Sequence, residues 1–133
     1  MVFFTMAILI VVGNVSKILW PPNKGYKHSG KRLRQMLRIK DDNPISDRKF
    51  RNHFEHFDER IEDWFKHSPN GLYIDQAMNP SLRSEGLTLN THRGYNSFNN
   101  TLMFREEILN LDEVLAALGE IHNICCQYSP LCR

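Results

Sequence analysis

The chain has 133 residues, of which 41% are hydrophobic and 24% are charged, and its formal net charge is +2. These values are typical of one ordinary globular domain, and they exclude a chain that is disordered throughout. The small net charge means that overall charge alone does not indicate a nucleic-acid-binding protein. We therefore expect a single domain over residues 1–133, whose function depends on how particular residues are arranged.

The first apolar stretch runs from Met1 to Val12, continues in a helical pattern to Trp20, and is then ended by a pair of prolines. A membrane-spanning helix needs about 20 apolar residues, and a signal peptide needs positive charge before its apolar run. The pattern instead predicts a buried helix over roughly Val2 to Leu19, in a protein that is not membrane-bound. The helix begins without a cap, so we expect a misplaced start codon or a missing upstream helix. A weaker alternative is peripheral membrane association through this stretch.

A basic segment without acidic residues lies between Pro21 and Lys40. Such a block attracts phosphates, which makes its cations candidates for RNA binding. The alternative is a solvated loop and helix face with no ligand. The apolar pattern predicts a loop up to Gly30 and a short helix from Lys31 to about Ile39. The candidate RNA-binding residues are Lys24, Lys27, Lys31, Arg32, Arg34 and Arg38.

The third predicted helix has the clearest pattern in the chain. Its apolar residues recur at spacings of four and three, which predicts one continuous helix from a cap at Ser46 to a stop after His67. We expect Glu59 and Asp63 to be exposed and the whole apolar stripe to be buried. The residues of this stripe are Phe50, Phe54, Phe57, Ile61 and Trp64.

The second half of the chain contains three candidate strands, at residues 72–74, 87–89 and 101–104. The polar stretch from Asn90 to Asn100 is predicted to be a long loop within a small antiparallel hairpin. A last helix is predicted to start at Asn110, which forms a capping-box-like pair with Glu113. Its predicted apolar stripe is Leu111, Val114, Leu115, Leu118, Ile121 and Cys125. The predicted fold class is mainly α, a helical bundle with a small antiparallel β-hairpin in the C-terminal half.

The three cysteines, Cys125, Cys126 and Cys132, all lie near the C-terminus. They do not resemble a disulfide framework, which favours a reducing compartment and a cytoplasmic location. They also lack the paired spacing and partner histidines of a zinc site. We therefore expect neither a metal nor a cofactor.

One face of the third helix carries four polar residues, each three or four positions after the one before, and Arg51 flanks this face. The four residues are Asn52, His56, Glu59 and Asp63. A histidine can act as general acid or base near neutral pH, and an arginine can hold a phosphate with two parallel hydrogen bonds. Cleavage of RNA needs these two groups and can use the 2′-hydroxyl of the substrate as nucleophile, without a metal. The face therefore predicts a candidate site for RNA cleavage.

The sequence Arg51-Asn52-x-x-x-His56 resembles the signature of the HEPN superfamily. The resemblance implies a compact α-helical protein, commonly dimeric, and a metal-independent endoribonuclease of toxin–antitoxin, abortive-infection or CRISPR systems. It further implies that Arg51 and His56 form the catalytic pair, that Asn52 shapes the site, and that two copies of the motif meet across a dimer interface. In a toxin system an antitoxin, or another protein, would be a further partner.

The competing interpretation of this helix face is that it has no catalytic role. Arg51, Glu55, Glu59 and Asp63 are also the residues expected of an exposed helix face stabilised by pairs four residues apart. The chain would then be a non-catalytic helical interaction module, whose aromatic-rich helix packs against a partner or a second copy. His53 lies at the edge of the apolar stripe, so we expect it to contribute to stability rather than to catalysis. His92 and His122 are isolated and are expected to be structural or exposed, whereas His28 belongs to the basic segment.

Overall fold

The computed structural model of the protein describes residues 2–68, 71–79 and 91–129. Within them the chain is largely helical, with a small four-stranded mixed sheet. Two compact units are present: a sheet unit of Met1–Met6 and Lys49–Asp112, and a helical unit of Ala7–Arg48 and Glu113–Arg133. The mainly α class is confirmed, whereas the single HEPN-like domain and the bundle arrangement stay predictions.

Helix α1 spans Val2–Leu19, the range predicted from the apolar pattern. In the helical unit Leu9, Val12 and Leu19 are buried, as expected for the inner side of this helix. No single helix in the described part of the chain is long and apolar enough to cross a membrane. The bent pair Thr5–Leu19 and Lys24–Met36 meets that test of length and composition together.

Helix α2 spans Lys27–Met36 and follows a short 3-10 turn at Lys24–Tyr26. The side chain of Asn23 accepts a hydrogen bond of 2.9 Å from the backbone N–H of Gly25, which caps this turn. The basic segment therefore becomes helical one turn earlier than predicted. It also ends earlier, because the backbone of Arg38 adopts the left-handed conformation with φ of 56°.

Glycine is required at position 30, where α2 begins close to the end of α1. A Cβ atom at Gly30 would lie 2.8 Å from the backbone oxygen of Leu19. The missing side chain therefore lets the two segments of the helical unit approach each other.

Helix α5 spans Leu111–Cys126 and starts where it was predicted. The side chain of Asn110 accepts a hydrogen bond of 2.9 Å from the backbone N–H of Asp112, so Asn110 is the cap. The predicted stripe is buried only in part. Leu111, Val114 and Ile121 are buried, whereas Leu115 and Cys125 are exposed.

The predicted third helix is not continuous. A 3-10 turn at Pro44–Ser46 is capped by Asn43 and contains Ser46, the predicted helix cap; α3 follows at Lys49–Glu55 and α4 at Phe57–His67. The two helices are separated at His56, whose ψ of 38° lies outside the helical range. The expected burial holds for the α3 residues Phe50 and Phe54. It is wrong for the α4 residues, because Phe57, Ile61 and Trp64 are only half-buried.

The sheet has four strands in the order β1 (Ala77–Met78), β2 (Arg93–Asn96), β3 (Thr101–Phe104) and β4 (Glu107–Asn110). Strand β1 pairs in parallel with β2, and β2, β3 and β4 pair antiparallel in sequence order. The prediction of one antiparallel hairpin with a long loop is therefore wrong, because the strands form a mixed sheet. Strand β3 was predicted correctly, residues 72–74 contribute only an isolated bridge at Ile74, and the candidate at 87–89 lies outside the described residues.

Strand β2 lies inside the polar stretch that was predicted to be a loop. Its residues Arg93 and Asn96 are buried although they are polar. Each has a partner: Arg93 binds Asp75, and the side chain of Asn96 accepts a hydrogen bond from the backbone N–H of Phe98. A strand whose inward positions are polar and paired shows no hydrophobic alternation, which is why the sequence pattern missed it.

Candidate functional site

The candidate site lies in the sheet unit, on α3 and at the break that follows it. We call Arg51, Asn52, Glu55 and His56 the motif face. The break leaves Asn52 and His56 in register, since the backbone N–H of His56 still donates a 3.0 Å hydrogen bond to the backbone oxygen of Asn52. Both residues are exposed. The structure therefore places two of the three motif residues on the solvent side, one helical turn apart.

Arg51 has a different environment from its two neighbours in the motif. Its side chain is only 11% exposed, and its Nη2 donates a 2.7 Å hydrogen bond to Oε2 of Glu55, one turn later on α3. The other donors, Nε and Nη1, are buried and have no hydrogen-bond partner in the described part of the chain. The guanidinium thus makes one hydrogen bond, to its ionic partner Glu55, and its other two nitrogens make none within the described residues.

The imidazole of His56 lies at the break between the helices and is 55% exposed. Its Nδ1 is 3.6 Å from Oε1 of Glu59, which is beyond a normal hydrogen bond and leaves the ring mainly in solvent. Within the described residues the ionic partner of Arg51 is Glu55, whereas that of His56 is Glu59. One copy of the chain therefore presents the imidazole and the guanidinium separately.

His53 is enclosed by the sheet, in line with its expected role in stability. Its ring stacks on Phe104 at a centroid distance of 4.2 Å, and its Nε2 lies 3.2 Å from Oε2 of Glu107. Burial lowers the pKa of His53, although the carboxylate of Glu107 acts in the opposite direction. The hydrogen bond from Lys49, whose Nζ is 2.9 Å from Oε1, lowers the pKa of Glu107. These contacts fix α3 against β3 and β4.

A buried polar cluster, the inner cluster, consists of Tyr73, Asp75, His92 and Arg93. Arg93 and Asp75 form a bidentate ion pair with distances of 2.8 and 2.6 Å, and their side chains are 8% and 21% exposed. The guanidinium of Arg93 also lies 3.4 Å from the ring centroid of Phe57. The guanidinium of Arg93 is therefore held in place by the carboxylate of Asp75 and by the ring of Phe57.

His92 is fully buried, and neither ring nitrogen has a hydrogen-bond partner within the described residues. The ring packs against Phe57, Tyr73 and Phe104 at centroid distances between 4.8 and 5.6 Å. Burial, with a further contribution from the charge of Arg105, lowers the pKa of His92 to about 4. Burial also raises the pKa of Tyr73 to about 12. His92 is thus a neutral structural histidine at neutral pH.

The sequence predicted a structural or exposed role for His92, but it did not indicate a cluster. Asp75 is separated from Arg93 by 17 residues, and Asp75 follows the apolar residue Ile74 whereas Arg93 lies in a polar stretch. Only the opposite charges of Asp75 and Arg93 were available as a signal. Such pairs are too frequent in sequences to be selected without a structure.

The predicted RNA-binding cations belong to the helical unit. Arg34 differs from the others, because its Nε is 2.8 Å from Oδ1 of Asp41 and its Nη1 donates to the backbone oxygen of Leu19. Its guanidinium also lies over the ring of Trp20. Arg34 therefore holds the helical unit together, and its charge is already paired. The side chains that are exposed are Lys24, Lys27, Lys31, Arg32 and Arg38.

The metal-ligand residue types are dispersed in this structure. Among the described residues, no group of three His, Cys, Asp or Glu side chains lies close enough together to hold a metal ion. Cys125 is a free and exposed thiol, whereas Cys126 is disulfide-bonded, contrary to the interpretation of the cysteines as those of a reducing compartment.

An apolar groove of about 860 Å³ lies within the helical unit, between α1, α2 and α5. Its walls include the exposed side chains of Val11, Ile18 and Met36. The groove shares none of its lining residues with the motif face or the inner cluster.

Compared with protein-family models, with curated proteins and with solved structures, the chain has no match in any of the three searches. The likeness to the HEPN superfamily therefore rests on Arg51, Asn52 and His56 and on their helical setting.

Proposed function

We propose that the chain is a metal-independent endoribonuclease of HEPN type, acting in the cytoplasm in a defence or toxin–antitoxin setting. His56 is the general acid–base, Arg51 holds the scissile phosphate and Asn52 shapes the site. The observation that carries the proposal is the motif face itself. There an exposed imidazole lies on the same short segment as a guanidinium whose Nη2 donates a hydrogen bond to the partly exposed Glu55.

The chemistry follows from these groups. A neutral imidazole takes the proton of the 2′-hydroxyl, whose oxygen forms a bond to the adjacent phosphorus while the bond to the 5′-oxygen breaks. A protonated imidazole returns a proton to the departing 5′-oxygen. The products are a 2′,3′-cyclic phosphate and a 5′-hydroxyl, and the Arg51 guanidinium stabilises the charge on the phosphoryl oxygens.

A homodimer fits this division of labour. Each copy supplies one His56, so two copies that meet at the motif face supply one base and one acid. The exposed cations of the helical unit would add a sequence-independent attraction to RNA that weakens as salt rises.

The test is cleavage of a fluorescently labelled RNA by the purified full chain in the presence of EDTA. We expect cleavage to leave cyclic phosphate ends and to stop when the 2′-hydroxyls are replaced by hydrogen. His56→Ala and Arg51→Ala should each lose about 100-fold or more in rate, the usual effect of removing an acid–base group or a charge-stabilising group.

His67→Ala is the matched control, because His67 is an exposed histidine that also lies beside a carboxylate, that of Asp63. It should cleave RNA as fast as the wild type. The absence of EDTA-resistant cleavage by the wild type, or equal rates for His56→Ala and wild type, would show that the enzyme proposal is wrong.

The second candidate is a non-catalytic helical interaction module. The observation that favours it is the ion pair between Arg51 and Glu55, which neutralises the charge that catalysis needs. The half-buried Phe57, Ile61 and Trp64 of α4 would then contact a partner or a second copy. This candidate takes the place of the first if the wild type shows no EDTA-resistant cleavage of RNA.

A further inference from the structure

The two partners in the ion pair between Arg51 and Glu55 are held very differently. The side chain of Arg51 is 11% exposed and that of Glu55 is 41% exposed. Two of the three guanidinium nitrogens are buried and have no hydrogen-bond partner among the described residues, and the third donates to Glu55. The arginine is therefore the fixed member of the pair, and the glutamate is the member that can leave it.

A carboxylate and a phosphate bind a guanidinium through the same N–H groups. An oxygen of Glu55 thus stands where an oxygen of an RNA phosphate would bind to Nη2 of Arg51. We propose that Glu55 is a built-in competitor of the RNA phosphate, and that its carboxylate keeps the phosphate site of Arg51 occupied until RNA displaces it. This inference rests on the proposed function, and it adds a regulatory residue to the same site.

The pair is weak enough to be exchanged. Glu55 holds Arg51 by a single hydrogen bond and its side chain is 41% exposed, so the carboxylate can return to water and an incoming phosphate is not blocked. Once the phosphate is bound, the displaced carboxylate remains nearby and repels it. Glu55 therefore lowers affinity and does not abolish it.

The experiment measures binding of a fluorescently labelled single strand in which every 2′-hydroxyl is replaced by hydrogen, so that cleavage does not interfere. We expect Glu55→Gln to bind this strand roughly fivefold more tightly than the wild type. That factor corresponds to the repulsion between two unit charges about 4 Å apart in water. The gain should shrink as salt is added.

Two controls separate competition at Arg51 from a general loss of negative charge. Glu62→Gln removes the same charge from an exposed position on α4 and should change affinity less than twofold. In an Arg51→Met background the substitution Glu55→Gln should have no effect on affinity, because the site that Glu55 occupies is gone. Thermal unfolding by circular dichroism verifies that each variant is folded.

The inference is overturned if Glu55→Gln binds no more tightly than Glu62→Gln, if its gain persists without Arg51, or if no variant binds measurably. Failure of the proposed function gives a different result. A wild type that cleaves no RNA, combined with an Arg51-dependent gain in Glu55→Gln, leaves a phosphate site gated by Glu55 in a protein that is not a nuclease.

Discussion

The sheet unit contains two arginine–carboxylate pairs whose surroundings differ in almost every respect. Arg93 and Asp75 come from distant parts of the chain, share two hydrogen bonds, and lie against the ring of Phe57. Arg51 and Glu55 come from one turn of α3 and share a single hydrogen bond. The first pair is largely buried, whereas the second has a partly exposed carboxylate and two buried guanidinium nitrogens without a hydrogen-bond partner among the described residues.

The difference shows how an arginine–carboxylate pair serves structure in one place and a candidate site in another. A bidentate pair in a buried setting is costly to break, because either partner alone is a desolvated charge. A pair four residues apart with a partly exposed carboxylate contributes little to stability, so another anion can replace that carboxylate. The inner cluster is therefore expected to determine stability and the motif face to determine RNA chemistry.

The largest effect is expected at the buried pair. Asp75→Asn keeps the shape of the side chain and removes its charge, which leaves the Arg93 guanidinium buried without its counter-ion. We expect the free energy of unfolding to fall by about 3–5 kcal/mol. Urea denaturation at pH 7 measures this change. Asp63→Asn, at a half-exposed carboxylate, is the control and should cost less than about 1 kcal/mol. Equal losses for the two variants would contradict the comparison.

The second effect is the dependence of stability on pH that His92 causes. The pKa of His92 is about 4 in the folded chain and 6.5 is the ordinary value for histidine. Between these values the unfolded chain takes up a proton that the folded chain does not, so stability falls as the pH falls. The contribution of His92 is constant above pH 6.5 and decreases by about 3 kcal/mol in total down to pH 4.

The measurement is urea denaturation between pH 7 and pH 4, with His92→Phe as the comparison. The variant should lose this part of the pH dependence, whatever its stability at pH 7. An unchanged slope in His92→Phe would assign the acid sensitivity to other groups, such as His53, whose pKa is also lowered by burial.

The smallest effect is expected at the motif face. A double-mutant cycle of Arg51→Ala and Glu55→Ala should give a coupling of about 0.2–0.5 kcal/mol in the free energy of unfolding. The weak coupling follows from the partial exposure of Glu55. A coupling above about 2 kcal/mol would mean that the pair is structural, and the contrast with Arg93 and Asp75 would disappear.

The parts of the fold that the sequence predicted are those in which hydrophobic spacing decides the structure. Helix α1 has the predicted bounds, and α5 begins at the predicted cap Asn110. The break at His56 was not predictable, since the spacing from Phe50 to Trp64 continues through it. Strand β2 was missed for the opposite reason, because its buried residues Arg93 and Asn96 are polar.

The candidate site was predictable in its residues and not in its geometry. The spacing of Arg51, Asn52 and His56 identified the motif, and the spacing of Arg51 and Glu55 permitted an ion pair. The degree of burial of Arg51 depends on the packing of the sheet unit, which no local pattern encodes. The inner cluster joins side chains far apart in sequence, so only the folded chain brings it together.

The short length of α3 has a consequence for how the motif face forms. A helix of seven residues does not persist in water by itself, because nucleating the first turn costs more than so few hydrogen bonds return. The turn that carries Arg51 and Glu55 is therefore folded cooperatively with Phe50 and Phe54, which anchor it. A synthetic peptide with the sequence of α3 should be a random coil, in which the motif residues have no fixed arrangement.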